Sequence, residues 1–266
     1  MEIASEEWLS TNKNGVVPIP NYIELLEGCA AYIEQEKRDA MYKVACRLVS
    51  EAQWKPCELA EGIGVLLLTW NAAFYTRYGT FDFDKLEVFI ENRAEELKKF
   101  NQRSILSYGK DDDVVVQQLF EELMEAVKSL RRGIKTPVGT AKALHMLAPD
   151  FFSIWDNKIA SKYRVHWSQG GEGSPQFYSR FQNMTKQVAD EVLKSYELAH
   201  KVSRVTAIEQ LCTKWHPRIA IAIGSPKSPI TRSLTKMIDE YNYSKYTMKA
   251  LLGKYRSIVM KVLSSD

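Results

Sequence analysis

The chain places a carboxylate, Asp156, directly after an aromatic run and at the predicted start of a helix. The run contains Phe151, Phe152 and Trp155, and Asn157 follows the carboxylate. An aspartate in front of a helix is commonly an N-cap that needs no further function. The same group at the mouth of an aromatic cleft could instead stabilise positive charge on a bound substrate. The residues around Asp156 leave both interpretations open.

A second candidate for chemistry is the turn Lys135-Thr136-Pro137-Val138-Gly139-Thr140, which joins two predicted helices. Glycine lets the backbone approach a ligand closely, and the amide groups that open a helix attract anions. Lys135 and Lys142 flank the turn. This arrangement suits a DNA phosphate, because backbone amides can position a strand without reading its sequence. An ordinary connection between two antiparallel helices has the same pattern.

The elements that must position these residues are predicted to be helices, so the fold class is all-α. Apolar residues recur at helical spacing over 21–36, 37–54, 58–75, 85–99, 113–132, 140–148, 156–164, 176–200 and 204–215. Asp84 is a candidate cap for the helix over 85–99. The six residues 218–223 alternate as a strand would, but they are too few to decide between a strand and a buried helix.

Composition excludes several classes of protein. The 266 residues are 45% hydrophobic and 26% charged, as in a soluble globular protein rather than a fibrous or low-complexity one. The four cysteines form no CxxC pair and the four histidines no HExxH pattern, so we expect no metal. The acidic first ten residues lack an apolar stretch, and no apolar run is long enough for a membrane span. These features predict a cytoplasmic protein without a membrane partner.

The small net charge of +3 conceals an uneven distribution. Residues 1–100 carry 11 basic against 17 acidic residues, and residues 101–266 carry 25 against 16. The segment 128–164 contains eight basic residues and only two acidic ones. A local basic surface favours a polyanionic partner, although lysine and arginine also simply solvate helices.

Taken together, residues 136–160 resemble the helix-hairpin-helix superfamily of DNA glycosylases. In that family a Leu-Pro-Gly-Val-Gly hairpin is followed, after a helix and a loop, by a segment with the catalytic aspartate. Here Pro137-Val138-Gly139 is similar to the end of the hairpin, Ala143 to the small residue of the next helix, and Asp156 to the catalytic acid. Residues 66–71 are similar to the helix whose end is inserted into the duplex. The resemblance covers roughly residues 60–165 and implies two helical lobes around a DNA-binding cleft.

Departures from the family pattern limit the expected chemistry. Thr136-Pro137 replaces Pro-Gly in the hairpin, and the histidine that follows the aspartate in the family is absent, since Asn157 and Lys158 stand there. The lysine of bifunctional members corresponds to Ala141, whereas Lys142 lies one position further, about 100° around the helix. The resemblance therefore implies a monofunctional enzyme, and the lack of the family's cysteine cluster implies no iron–sulfur cofactor.

The resemblance also implies roles for individual residues. Asp156 would stabilise the oxocarbenium-like sugar after the nucleotide has been flipped into a pocket. The residues expected to bind the DNA backbone are Lys135, Val138, Gly139, Thr140, Lys142 and Lys158. The residues expected to form the base pocket or a duplex wedge are Trp70, Asn71, Phe151, Trp155 and Asn157. Core packing is the alternative for the aromatic side chains among them.

The lobe with the hairpin is expected to span 62–150. Residues 1–61 plus 151–266 are expected to form the second lobe, with the catalytic aspartate near the start of its second segment. The C-terminal residues Lys236, Tyr241, Tyr243, Lys245 and Tyr246 would cover the pocket, contact DNA or form a helical packing surface.

Residues 136–160 and 238–247 are similar to a prokaryotic and phage-associated branch of the superfamily. That branch includes enzymes that act on hypermodified thymine and antiviral glycosylases that remove glucosylated hydroxymethyl-cytosine. We therefore expect a monomeric DNA glycosylase that excises this base from double-stranded phage DNA and leaves an abasic site. The alternatives are a hypermodified-thymine processing enzyme, a damaged-base repair glycosylase, a non-catalytic DNA-binding helical module and a helical interaction protein without a nucleic-acid role.

Overall fold

The computed structural model describes residues 9–12, 15–165, 171–224 and 231–265, with side chains from residue 19 onward. Its elements are β1 (Leu9–Asn12), β2 (Gly15–Pro18), α1 (Tyr22–Gln35), α2 (Asp39–Glu51), α3 (Pro56–Trp70), α4 (Ala72–Tyr78), α5 (Phe83–Asn101), α6 (Asp113–Ala126), α7 (Pro137–Leu147), α8 (Asn157–Lys162), α9 (Ser174–His200), α10 (Arg204–Glu209), α11 (His216–Ala222), α12 (Leu234–Asn242) and α13 (Arg256–Leu263). π-Helical turns follow α10 at Gln210–Trp215 and α12 at Tyr243–Thr247. The all-α prediction is confirmed, with one antiparallel hairpin, β1–β2, in addition.

The chain divides into two compact units. The central unit comprises residues 36–157 and 165–183, and the terminal unit comprises 1–35, 158–164 and 184–266. These boundaries differ from those of the predicted lobes, 62–150 and 1–61 plus 151–266. One reason is that α2 packs along α3, which places residues 39–51 in the central unit. Another is that residues 151–155 hydrogen-bond to α7 and α9 within that unit.

In the central unit, α3 packs against α2, α5 and α7. Its residues Ile63, Leu66 and Leu67 are fully buried. Pro56 occupies its first turn, where the missing N–H has no cost. At Asn71 the chain turns by 91° into α4. None of the described helices is by itself long and apolar enough to cross a membrane, and α3 and α4 satisfy that test only as a bent pair.

Several helix boundaries differ from the predicted ones for local reasons. The helix predicted over 113–132 ends at Ala126, because the following turn is closed by hydrogen bonds from Gly133 N to Ser129 O at 2.8 Å and from Ile134 N to Ser129 Oγ at 3.0 Å. The helix predicted from 140 begins at Pro137. Asp82, rather than Asp84, caps α5. The ambiguous residues 218–223 are helical up to Ala222, the last residue of α11.

In the terminal unit, α1 packs against α12 at very close range. A Cβ atom on Gly28 of α1 would lie 2.7 Å from the Cα atom of Tyr241. The carbonyl of Gly28 accepts a hydrogen bond from Ser244 Oγ at 2.9 Å. A glycine is therefore required at position 28 for the two helix backbones to approach each other.

Gly28→Ala is expected to lower the free energy of unfolding by at least about 1 kcal/mol. Overpacking costs about 1–3 kcal/mol and outweighs the gain in helix propensity, because the clash is with backbone. The matched variant is Gly253→Ala, where a Cβ atom would meet nothing within 4 Å. Urea unfolding of both variants checks the difference, and equal stability of the two would contradict the close helix contact.

Candidate functional site

The first turn of α7 is capped by Thr136. The Thr136 hydroxyl accepts a hydrogen bond from Gly139 N at 3.1 Å, and Thr140 Oγ1 donates to Thr136 O at 3.0 Å. Pro137 has no N–H to offer. The Gly139 amide is therefore already occupied within the protein, and the predicted contact of this amide with a DNA phosphate is not supported by the arrangement.

Gly139 is required for a different close approach from the one expected. A Cβ atom there would lie 2.8 Å from Thr136 Cγ2 and 3.0 Å from Asn71 Nδ2. The Asn71 amide donates to Thr136 Oγ1 at 3.3 Å. The glycine thus accommodates a side chain from the α3–α4 corner rather than a ligand.

Lys142 completes the connection between this corner and α7. Its ammonium donates to Asn71 Oδ1 at 2.5 Å and lies 5.5 Å from the centre of the Trp70 ring. Lys142 and Asn71 are each 8% exposed, and Thr140 is fully buried. The predictions that Lys142 and Thr140 contact DNA, and that Asn71 acts as a wedge, are therefore corrected: all three side chains face the interior of the central unit.

Trp70 is partly exposed and is fixed by α2. Its Nε1 donates to Arg38 O at 3.0 Å, and its ring stacks on Tyr42 with centroids 5.5 Å apart and planes 28° apart. The partly exposed ring leaves Trp70 a candidate for contact with a base.

The basic residues near α7 differ in how far their charge is compensated. Lys135 pairs with Glu125 at 2.5 Å, and hydrogen bonds from Lys128 and Lys135 lower the pKa of Glu125. Arg131 and Arg132 are exposed on the loop before α7, which is fixed by a 2.7 Å hydrogen bond from Leu130 N to Thr80 O. The sequence identified both arginines as part of a basic stretch but not as site residues.

Residues 151–155 follow α7 as a turn at Phe151, a bend at Phe152 and three residues without regular secondary structure, and all five are buried. Ser153 N donates to Gln182 Oε1 at 2.8 Å, and Gln182 Nε2 donates to Phe151 O at 3.1 Å. Tyr178 OH donates to Ser153 O at 2.8 Å. The backbone groups of Phe151 and Ser153 are thus paired with side chains of α9.

The other side of the segment is held by α7. His145 Nδ1 lies 2.7 Å from Phe152 O, and His145 Nε2 lies 2.8 Å from Tyr42 OH. Because a carbonyl can only accept, we assign the proton of a neutral His145 to Nδ1, so that Nε2 accepts from Tyr42. Neither Tyr42 nor His145 belongs to the site predicted from sequence, which gave no signal for a contact between residues 103 positions apart.

Trp155 ties the segment to the start of α7. Its indole Nε1 donates to Pro137 O at 3.1 Å, and its ring contacts Phe120 and Tyr178. Phe151 packs on Phe100 with ring centroids 4.7 Å apart. Since Phe151 and Trp155 are fully buried, the expectation that they line a base pocket is corrected: both are core residues.

Asp156 follows Trp155, is partly exposed and directly precedes α8. Asn157 and Lys158 are exposed, and Lys158 Nζ donates to Thr247 O at 3.3 Å within the terminal unit. The hydrogen bond between Trp155 and Pro137 therefore places the chain next to Asp156 against the first turn of α7. Among the predicted site residues, the structure brings Trp70, Asn71, Gly139 and Lys142 together and joins Asp156 to them through this segment.

A separate polar cluster lies in the terminal unit around the buried carboxylate of Glu240. His216 Nε2 is 2.8 Å from Glu240 Oε2, Arg232 Nε is 3.1 Å from Oε1, and Lys236 Nζ is 3.8 Å from Oε1. Burial alone would raise the pKa of Glu240, but the charges of His216, Arg232 and Lys236 hold it at about 2. Lys236 also bonds Asp239 at 2.7 Å and is fully buried, so it is not available to DNA.

This cluster includes a possible set of metal ligands, Cys29, His216 and Glu240, whose donor atoms lie within 4.8 Å of one another. Burial raises the pKa of the Cys29 thiol well above its usual value, so the thiolate ligand is disfavoured. Arg232 and Lys236 already compensate the Glu240 carboxylate. The group is therefore better described as an ion-pair network than as a cation site.

No family model matches the chain, and searches of curated proteins and of solved structures find no significant match. The assignment of a function therefore depends on the geometry and on the sequence pattern.

Asn71→Leu is expected to lower the free energy of unfolding by about 1–3 kcal/mol. The substitution removes an acceptor from the buried Lys142 ammonium and a donor from Thr136. Asn92→Ala, at an exposed position of α5, is the control and should change stability by no more than about 0.5 kcal/mol. Chemical denaturation measures the free energy of unfolding of both variants. A small loss at both positions would show that the α3–α4 corner is not stabilised by Asn71.

Glu240→Gln is expected to lower the free energy of unfolding by about 3 kcal/mol above pH 5. The pKa of Glu240 is about 2 in the folded protein against 4.5 in the unfolded chain, and this difference favours the folded protein. The pKa is depressed on folding, so this contribution is complete above pH 4.5. It is lost as the pH falls from 4.5 through 2. Unfolding measured from pH 7 to pH 2 should show the difference between wild type and variant shrinking over that window. The exposed Glu209→Gln is the control, and a difference independent of pH would contradict the ion-pair network.

Proposed function

We propose that this protein is a monofunctional DNA glycosylase with Asp156 as its catalytic carboxylate. The observation that carries the proposal is the hydrogen bond from Trp155 Nε1 to Pro137 O. It links the segment that ends in Asp156 to the first turn of α7. These are the two parts of the chain that resemble the catalytic and DNA-anchoring parts of the helix-hairpin-helix family.

The environment of Asp156 suits an electrostatic role. The carboxylate is partly exposed, so a sugar can reach it, while the preceding residues are fixed by buried hydrogen bonds. A fixed charge stabilises a transition state without reorganising during the reaction. As the N-glycosidic bond breaks, its electron pair leaves with the base and positive charge develops on the sugar. Asp156 opposes that charge and orients a water, whose hydroxyl adds to the sugar while its proton goes to the departing base.

The position of Lys142 supports a monofunctional reaction. A lyase step needs an amine that can attack the sugar, whereas the Lys142 ammonium is buried and bonded to Asn71. The product is therefore an abasic site and a free base, with the DNA strand intact.

Binding of the duplex is assigned to the exposed residues around this site. Arg131 and Arg132 are exposed beside α7 and supply positive charge there, in place of the buried Lys142. Val138, Asn157 and Lys158 remain partly or fully exposed and are retained as contacts. Trp70 retains an exposed part of its ring against which a flipped base or its neighbour can stack.

The favoured substrate is glucosylated hydroxymethyl-cytosine in double-stranded phage DNA, which places the enzyme in antiviral defence. This choice is supported by the resemblance of residues 136–160 and 238–247 to the antiviral branch. Base release should be measured on duplexes that contain uracil, 8-oxoguanine, alkylated bases, hydroxymethyl-cytosine or its glucosylated form, because a repair enzyme would release one of the damaged bases instead.

Asp156→Asn is expected to reduce base release from the preferred substrate by at least about 100-fold, the usual effect of removing a fixed group that stabilises the transition state. Affinity for the duplex should stay within about twofold, because the amide keeps the size of the side chain. Alkali cleavage of the abasic strand measures release. The exposed Asp111→Asn is the control and should behave as wild type.

Equal activity of wild type and Asp156→Asn would exclude the assigned role of the carboxylate. Salt-dependent binding of DNA without release of any base would favour a non-catalytic DNA-binding module.

A further inference from the structure

We infer that Gln182 is the positioning residue for Asp156, and this inference rests on the proposed function. Gln182 lies on α9, 26 positions after Asp156, and its side chain is fully buried. The sequence pattern did not assign Gln182 to the site.

The Gln182 side-chain amide pairs with two backbone groups of residues 151–153. Its oxygen accepts from Ser153 N at 2.8 Å and its nitrogen donates to Phe151 O at 3.1 Å. One side chain thus satisfies a donor and an acceptor two residues apart in a buried segment without regular secondary structure. A buried backbone group without a partner is costly, so these bonds select a single conformation of the segment.

The geometry of the amide makes Gln182 specific for this purpose. A carboxylate could still accept from Ser153 N but would oppose Phe151 O, and an aliphatic side chain would satisfy neither group. His145 and Tyr178 hold the carbonyls of Phe152 and Ser153, so the donor of Ser153 depends on Gln182. Loss of this amide would release the segment three residues before Asp156.

A loosened segment affects the reaction differently from binding. The catalytic carboxylate must be held within a fraction of an ångström of its productive position, whereas phosphate contacts elsewhere are unaffected. Gln182→Ala should therefore lower kcat while leaving the affinity for the duplex unchanged. A merely destabilised protein would show neither this division nor a local change in backbone protection.

The experiment compares wild type with Gln182→Ala in two measurements. Single-turnover base release should fall at least tenfold in the variant, with the duplex Kd within twofold. Hydrogen exchange of the peptide containing residues 151–155 should accelerate at least tenfold, while a peptide from α3 exchanges as in wild type. Gln176→Ala, an exposed glutamine of the same helix, is the matched control. Ile90→Val tests for the effect of a general loss of stability.

Gln182→Glu is the second variant, should Gln182→Ala fail to fold. Its activity relative to wild type at the same pH should rise as the pH falls, because a protonated carboxyl group can again donate to Phe151 O. Unchanged kcat and unchanged exchange in Gln182→Ala would overturn the inference. A wild-type protein that releases no base overturns the proposed function, and the exchange measurement then still decides whether Gln182 fixes the segment.

Discussion

The backbone of residues 151–155 is buried outside any regular helix or strand, so its polar groups must find other partners. Side chains of α7 and α9 meet this requirement, with Gln182 and His145 on different groups of the segment. The same constraint directs Trp155 to the carbonyl of Pro137. The position of the candidate carboxylate, Asp156, is thus determined by hydrogen bonds to the residues that precede it in the sequence.

The sequence was sufficient to predict what depends on local pattern. Helical periodicity predicted most of the helices. It was not sufficient for interactions that depend on distant partners. The contact of Asn71 with Lys142 joins residues 71 positions apart, and no spacing in the chain indicates it. The helix predicted to reach 132 ends at Ala126, and the turn after it is closed by a hydrogen bond from Ile134 N to Ser129 Oγ, which periodicity does not detect.

The number of basic residues in the sequence overstates the positive charge that is available at the surface. Lys142 and Lys236 are buried in hydrogen-bonded clusters, and Lys135 is paired with Glu125. Arg131 and Arg132 are exposed beside α7. A count of basic residues therefore does not give the positive charge at the surface, because burial and ion pairing decide which of them are exposed. In the terminal unit, the basic residues His216 and Arg232 pair with the buried carboxylate of Glu240 and stabilise the fold.

The most direct test of the account is mass spectrometry of the small molecules released from duplex DNA that contains glucosylated hydroxymethyl-cytosine. A monofunctional glycosylase must release the intact modified base, one for each abasic site formed, and leave the strand uncut before alkali. That result is the one predicted. DNA whose nucleoside composition is unchanged, or changed without any free base, would contradict a glycosylase reaction at Asp156.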